Sequence, residues 1–293
     1  MTNITLKQLR YFEAVAHHRH FGHAAESCAI SQPALSVQIK ELEQNLQTPL
    51  FDRGGRTITL TSFGVDFAPR ARAILQGVDE LQDMARASKD GLMGRLRIGI
   101  IPTIGPYLLP SIITKLTQMN PALDIHVRET MTPRLINELT EGRIDTAIVA
   151  LPVSEPSLTE VALFDEKFML VRPEADRGKP IPSSARLNEM KLLLLEEGHC
   201  FRDQALSFCD MQSETAREGL DASSLSTLVQ MVGAGIGVTL IPEMAVAVET
   251  RSAQVAVNAF PAPEPTRRVG MIWRKTSPLA SKLSEIADLI RPT

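Results

Sequence analysis

Apolar positions recur at helical spacing from the start of the chain: Leu6, Leu9, Phe12, Val15 and Ala16 predict a first core helix. Phe21 to Ile30 follows as a second element, where the paired Ala24 and Ala25 permit close helix contact. Ser31 can cap a third helix whose first turn tolerates Pro33, because the amide hydrogen missing there has no partner anyway. Its buried stripe is Leu35, Ile39, Leu42 and Leu46. Leu50 to Thr61 reads as a β-wing turning at Gly54-Gly55. From Phe63 to about Lys89 the pattern predicts a long helix with Pro69 as a kink or a late start. Its narrow apolar stripe (Ile74, Val78, Leu81, Ala85) suits pairing with a second copy.

Beyond Gly94 the period alternates between strand and helix. Strands are expected at Leu96–Ile101, Ile125–Arg128, Asp145–Ala150, Phe168–Val171, Leu192–Leu195, Val238–Ile241 and Val269–Trp273. Helices are expected at Pro110–Met119, Arg134–Glu141, Ser223–Gly233 and Pro278–Ile290. This alternation predicts a mostly parallel sheet covered by helices. Ligands of such folds sit at the carboxyl ends of strands, which singles out Pro102-Thr103 and Glu197-Gly198-His199-Cys200. The glycines of Gly233-Ala234-Gly235-Ile236-Gly237 follow a helix and precede a strand. That is the reverse of a dinucleotide loop, and they read as a helix-ending turn.

A length of 293 residues suggests two or three domains, and a net charge of −3 gives no global nucleic-acid or membrane signal. No apolar run reaches the roughly 18 residues of a membrane span, and the first residues lack a basic, then apolar leader. A cytoplasmic protein is expected. Three cysteines do not make a disulfide scaffold, and no Cys/His spacing fits zinc. His17, His18, His20 and His23 share no metal-binding face and read as surface or phosphate-proximal groups; Cys28 reads as a small buried hydrophobe. No Ser-His-Asp arrangement, Walker motif or carboxylate pair stands out, so neither enzyme chemistry nor a cofactor or metal is expected.

Two constellations remain. At the front of the third helix, Gln32, Pro33, Ser36 and Gln38 are suited to base edges and Lys40 to phosphate, with Arg53 and Arg56 flanking the wing turn as backbone grips. Residues 1–63 carry six Lys/Arg against five Asp/Glu, so this reading rests on motif order rather than a basic field. A protein-binding helical domain stays open. The second constellation is Cys200 and Cys209. The segment between them lacks Pro and Gly and reads as helix, which separates the two Cα atoms by about 13 Å where a disulfide needs about 7 Å. His199, Arg202 and a helix N-terminus would favour a Cys200 thiolate. Either the pair is a redox switch that must unfold to bond, or these are two ordinary core cysteines.

The chain resembles the LysR-type transcriptional regulators. The resemblance is carried by Leu6-Lys7-Gln8-Leu9-Arg10-Tyr11-Phe12, Ala24-Ala25, Ser31-Gln32-Pro33-Ala34-Leu35-Ser36, Ile39-Lys40-Glu41-Leu42-Glu43, Leu50-Phe51-Asp52-Arg53 and Leu60-Thr61. Within that family, Ile101 to Pro110, Glu197 to Gln204 and Phe208-Cys209 are similar to the peroxide-sensing members. It implies an α/β protein with an N-terminal all-α winged helix-turn-helix over 1–62, a dimerisation helix over 63–93 and a redox-sensing regulatory domain over 94–293. The last would comprise two periplasmic-binding-protein-like lobes, one of about 94–165 with 269–293 and one of about 166–268. It implies a regulator that binds double-stranded promoter DNA, contacts RNA polymerase, assembles as a homotetramer and answers hydrogen peroxide, with a thiol reductant resetting it. Cys200 would be the peroxidatic cysteine and Cys209 its resolving partner. Thr103, Thr132 and His199 would hold peroxide, Arg202 and Asp203 would order the pocket, and Arg267 would approach it. Two alternatives differ in class: a LysR-type regulator sensing a metabolite between the lobes, and a thiol peroxidase on a DNA anchor.

Overall fold

The computed structural model describes residues 4–52, 54, 58–87, 94–187, 189–209 and 221–291. The chain divides into two compact units, Met1–Asp83 and Met84–Thr293.

In the first unit, α1 (Leu6–His18), α2 (Phe21–Ser27) and α3 (Gln32–Leu46) precede a two-strand wing of β1 (Phe51–Asp52) and β2 (Thr59–Leu60). Side chains set the helix starts. Thr5 and Gln8 form a reciprocal capping box on α1, His20 Nδ1 accepts from the Gly22 and His23 amides, and Ser31 Oγ accepts from Ala34 N. Leu35, Ile39 and Leu42 are fully buried, as their spacing predicts. Phe12 packs against Phe51 and Phe67 with ring centroids 5.3 and 5.0 Å away. Glu43 Oε1 accepts from Leu50 N (2.9 Å) and Phe51 N (3.2 Å), which ties the wing to α3. The long helix α4 (Ser62–Ala87) begins well before Pro69 and continues through it, so the proline does not mark a late start. Cys28 is half-buried against this core.

The second unit opens with β3 (Gly94–Ile100), α5 (Gly105–Met119), β4 (Leu123–Glu129), α6 (Thr132–Thr140), β5 (Thr146–Leu151) and the 16-residue β6 (Leu158–Pro173). It continues with α7 (Ser184–Leu187), β7 (Leu192–Leu195), α8 (Cys200–Phe208), β8 (Asp221–Ala222), α9 (Leu225–Gly233) and β9 (Val238–Pro242). α10 (Glu243–Glu249), β10 (Val255–Ala259), β11 (Thr266–Arg274) and α11 (Ala280–Ile290) complete it. The strands join in the order β4-β3-β5-β11-β6-β9-β7-β8, with β10 also on β6.

The sheet is mixed, which corrects the mostly parallel expectation. β3 runs parallel to β4 and β5, and β7 to β8 and β9, but β6 and β11 pair antiparallel to each other and to their other neighbours. Apolar runs look alike in either direction, so periodicity could not reveal the difference. Two separate cores result. Leu158 and Leu163 of β6, with Val269 and Met271 of β11, belong to one; Phe168, Leu170 and Val171 of β6 belong to the other, with α8, α9 and β9. The glycine turn reads correctly: α9 ends at Gly233, Gly235 has φ +78°, and β9 follows. Among the described residues no helix is long and apolar enough to cross a membrane.

Candidate functional site

Three strand-to-helix turns of the second unit converge on one narrow crevice. Its floor includes Thr103 from the β3–α5 turn, Thr132 from the first turn of α6, and His199 and Cys200 from the β7–α8 turn. Gly198 makes the last turn possible. Its φ of +96° lies in the region that side chains disfavour, and a Cβ there would meet Met131 Sδ at 2.7 Å. The chain can then turn sharply into α8, where His199 is the N-cap residue and Cys200 the first helical residue.

Cys200 is half-buried and Cys209, at the C-cap of the same helix, is fully buried; both are free thiols. The helix between them is intact, which keeps them about 13 Å apart by helical rise. Burial is the largest influence on Cys200 and lifts its thiol above the usual range. The Arg267 guanidinium, Thr132 and the Phe201 amide pull against that, and Asp203 adds to it. Thr132 Oγ1 is buried, and its place beside Cys200 lets its hydroxyl favour the thiolate. Burial alone pushes the Cys209 thiol up to about 11.

These environments correct the sequence expectation that His199 and Arg202 supply the positive charge at Cys200. Burial holds His199 below the usual imidazole range despite Glu196, so it is neutral near pH 7. Arg202 turns away: its NH1 donates to Leu195 O at 2.7 Å and pairs with Asp221 Oδ1 at 2.9 Å, clamping α8 onto β7 and β8. Asp203 is exposed. The cation that reaches Cys200 is Arg267, on β11. Arg267 donates from Nε to Glu166 Oε2 (2.7 Å), from NH1 to Thr103 Oγ1 (2.8 Å) and from NH2 to Thr103 O (2.9 Å), and it lies 5.4 Å from the Phe201 ring centroid.

Thr103, Thr132, His199 and Cys200 are therefore brought together, with Arg267 behind them, while Arg202 and Asp203 diverge. Sequence reasoning missed Glu166, which is buried and holds Arg267 from the neighbouring strand. It also missed Glu249, which accepts from Tyr107 Oη at 2.6 Å and from Ser226 Oγ, joining α10 to α5 and α9. Both contacts span large sequence separations and leave no local signal. Among the described residues no cluster of His, Cys, Asp or Glu could hold a metal ion.

In the first unit, Gln32, Pro33 and Lys40 are exposed at α3, while Ser36 and Gln38 are half-buried. Gln32 Nε2 donates to Ser36 Oγ (3.1 Å) and Gln38 Nε2 to Glu41 Oε2 (2.8 Å), so three of the candidate base readers are held in place. Val37 stands out, 53% exposed on the same helix. Arg53 and Arg56 lie outside the described residues. His20, expected at the surface, is exposed and also caps α2.

A two-part architecture, helix-turn-helix followed by an α/β sensor, matches two family models. Residues 6–65 match the bacterial regulatory helix-turn-helix protein of the lysR family, and residues 89–293 match the LysR substrate binding domain. The chain belongs to the LysR family. Within it, the chain is 40% identical to the DNA-binding transcriptional dual regulator OxyR of Escherichia coli (strain K12), over 98% of this chain and 95% of that protein. It is similar in structure to full-length Pseudomonas aeruginosa OxyR carrying a cysteine-to-aspartate substitution, with TM-score 0.77 and 37% identity over 98% of this chain and 95% of the other. A hydrogen peroxide-bound cysteine-to-serine mutant of Corynebacterium glutamicum OxyR is also similar, with TM-score 0.67 and 34% identity over 98% and 91%.

Proposed function

We propose that this chain is a DNA-binding transcription regulator that senses hydrogen peroxide through a reversible Cys200–Cys209 disulfide. The observation that carries this reading is the placement of Cys200: first residue of α8, in a crevice lined by Thr103, Thr132 and His199, one helix away from a second free thiol. The Cys200 thiolate attacks one peroxide oxygen and breaks the O–O bond, giving Cys200 sulfenic acid and hydroxide, which takes up a proton as water. Cys209 then gives its proton and sulfur to the sulfenic acid, forming the disulfide and a second water. Burial keeps the thiolate fraction small, so the hydroxyls and Arg267 must make each encounter productive.

The bond cannot close while α8 is helical, so residues 199–209 must unwind. Closing this loop constrains the chain by about 3 kcal/mol on an entropic account, comparable with what biases a balanced two-state element. In this reading α3 presents Gln32, Pro33, Ser36 and Gln38 to base edges, Val37 to a thymine methyl and Lys40 to phosphate, while Arg53 and Arg56, beyond α3 in sequence, grip backbone phosphates. Ile74 and Leu81, both exposed on α4, pair with a second copy of the chain. The homo-oligomer (a tetramer in this reading) contacts RNA polymerase, the boundaries 1–62, 63–93 and 94–293 separate reader, pairing helix and sensor, and a thiol reductant in the cytoplasm resets the switch. Each chain forms one disulfide and stops, so it is not an enzyme.

A non-reducing tryptic map after brief, stoichiometric peroxide tests this. Cleavage after Lys191, Arg202 and Arg217 places the two cysteines on separate peptides. The expected product is one joined species that reductant splits. Two peptides that stay free thiols would refute the reading.

A further inference from the structure

We propose that Glu166 is a positioning residue for the peroxide reaction at Cys200: it fixes the Arg267 fork so that the Thr103 hydroxyl is left with its proton directed into the crevice. This rests on the peroxide-sensing reading above and deepens it.

The geometry forms a chain of constraints. Glu166 and Arg267 are register partners on β6 and β11, at the point where β6 passes from one core to the other. Both side chains are almost wholly shielded from solvent, at 4% and 0% exposure. The two Glu166 oxygens hold different partners. Oε2 accepts from Arg267 Nε, and Oε1 accepts from Met244 N at 2.9 Å. A carboxylate anchored at both oxygens cannot swing, so the guanidinium plane it grips is fixed as well. The far edge of that plane then donates twice to Thr103, once to the hydroxyl oxygen and once to the carbonyl.

The proton inventory follows. A hydroxyl has one proton to donate and lone pairs to accept with. Thr103 Oγ1 accepts from a cation, and among the described residues it has no acceptor of its own. It is buried and lines the crevice. Its proton is thus available to a peroxide oxygen, and the bond from Arg267 makes it a better donor. The leaving oxygen of peroxide gains negative charge as the O–O bond breaks, so a fixed donor there speeds the reaction selectively. An alkylating agent that expels iodide has no such requirement.

The test compares two reactions of Cys200 in the full-length chain, oxidation by hydrogen peroxide and alkylation by iodoacetamide, each measured across pH and extrapolated to the fully ionised thiol. Glu166→Gln keeps one acceptor oxygen but sets an NH2 donor against either Arg267 Nε or Met244 N, which bond different oxygens of the carboxylate. Peroxide oxidation should slow about tenfold in this variant, with alkylation changed by less than about threefold. Glu166→Asp retains the charge with a shorter reach and should recover part of the lost selectivity. Wild-type oxidation in Glu166→Gln would overturn the proposal, and so would both rates moving together, as a merely structural role predicts. If Glu166→Gln fails to fold, Glu166→Asp decides: a several-fold loss of peroxide selectivity supports the role, and wild-type selectivity overturns it. A wild-type chain whose Cys200 ignores peroxide would remove the sensing reading itself, an outcome distinct from a reactive wild type with unaffected variants.

Discussion

The two ends of α8 hold the same kind of side chain in opposite surroundings. At the N-terminal end Cys200 meets two threonine hydroxyls, a neutral histidine and the field of a buried arginine. At the C-terminal end Cys209 meets the apolar wall of the second core, and burial lifts its thiol. Eight helical residues separate a thiol with partners for its charged form from one that, among the described residues, has none. Reactivity here is set by what surrounds the sulfur, and the helix keeps the two environments from mixing.

The sharpest way to break the contrast is Cys200→Ser. Promoter transcription should lose its whole peroxide response while DNA binding measured by gel shift persists; an undiminished response would mean that the polar end is not the sensor. Removing the other sulfur should give a smaller and different effect. In Cys209→Ala, peroxide should convert Cys200 to a sulfenic acid that dimedone traps. The small void left should cost about 1 kcal/mol, or roughly 2–4 °C in Tm. Cys209→Ser should cost more, about 1–3 kcal/mol, because a hydroxyl there has no partner in the apolar wall. Equal melting temperatures for the two variants would show that the wall is wetter than its lining suggests.

A pH series gives the finest test. Iodoacetamide should modify Cys200 first at every pH, with Cys209 resisting until pH approaches 11. The sign for stability follows: between the unfolded thiol value of about 8.5 and the folded value of about 11, the native state holds its proton while the unfolded state has lost it. Stability should therefore fall as pH climbs through that window. A flat melting temperature across it in wild type, matching Cys209→Ala, would refute the assignment.

What the sequence disclosed depended on how local the cause was. The helices of the first unit were legible because caps and stripes are short-range: Ser31, Leu35, Ile39 and Leu42 can be read one turn at a time. The α8 helix was legible for the same reason. β6 was foreseen only at Phe168–Val171, because its first half alternates burial weakly and carries charges at Glu160, Asp165 and Glu166. The direction of β6 and β11 was hidden altogether. At the crevice, Cys200 and His199 declared themselves by position, whereas the cation reaching Cys200 comes from Arg267, 67 residues further on. Arg202, the nearer candidate, is occupied by Leu195 O and Asp221, and only the folded chain reveals that.

The intact helix between the cysteines also sets a clock. Once Cys200 is oxidised, its fate is a race between reduction back to the thiol and the fraying of α8 that lets Cys209 arrive. In the proposed switch a disulfide is stored wherever α8 opens before a reductant reaches the sulfenic acid, and the oxidation is erased wherever the reductant arrives first. On that reading, the durability of one helix of nine residues, set against the supply of reductant, governs what share of oxidations becomes a lasting signal.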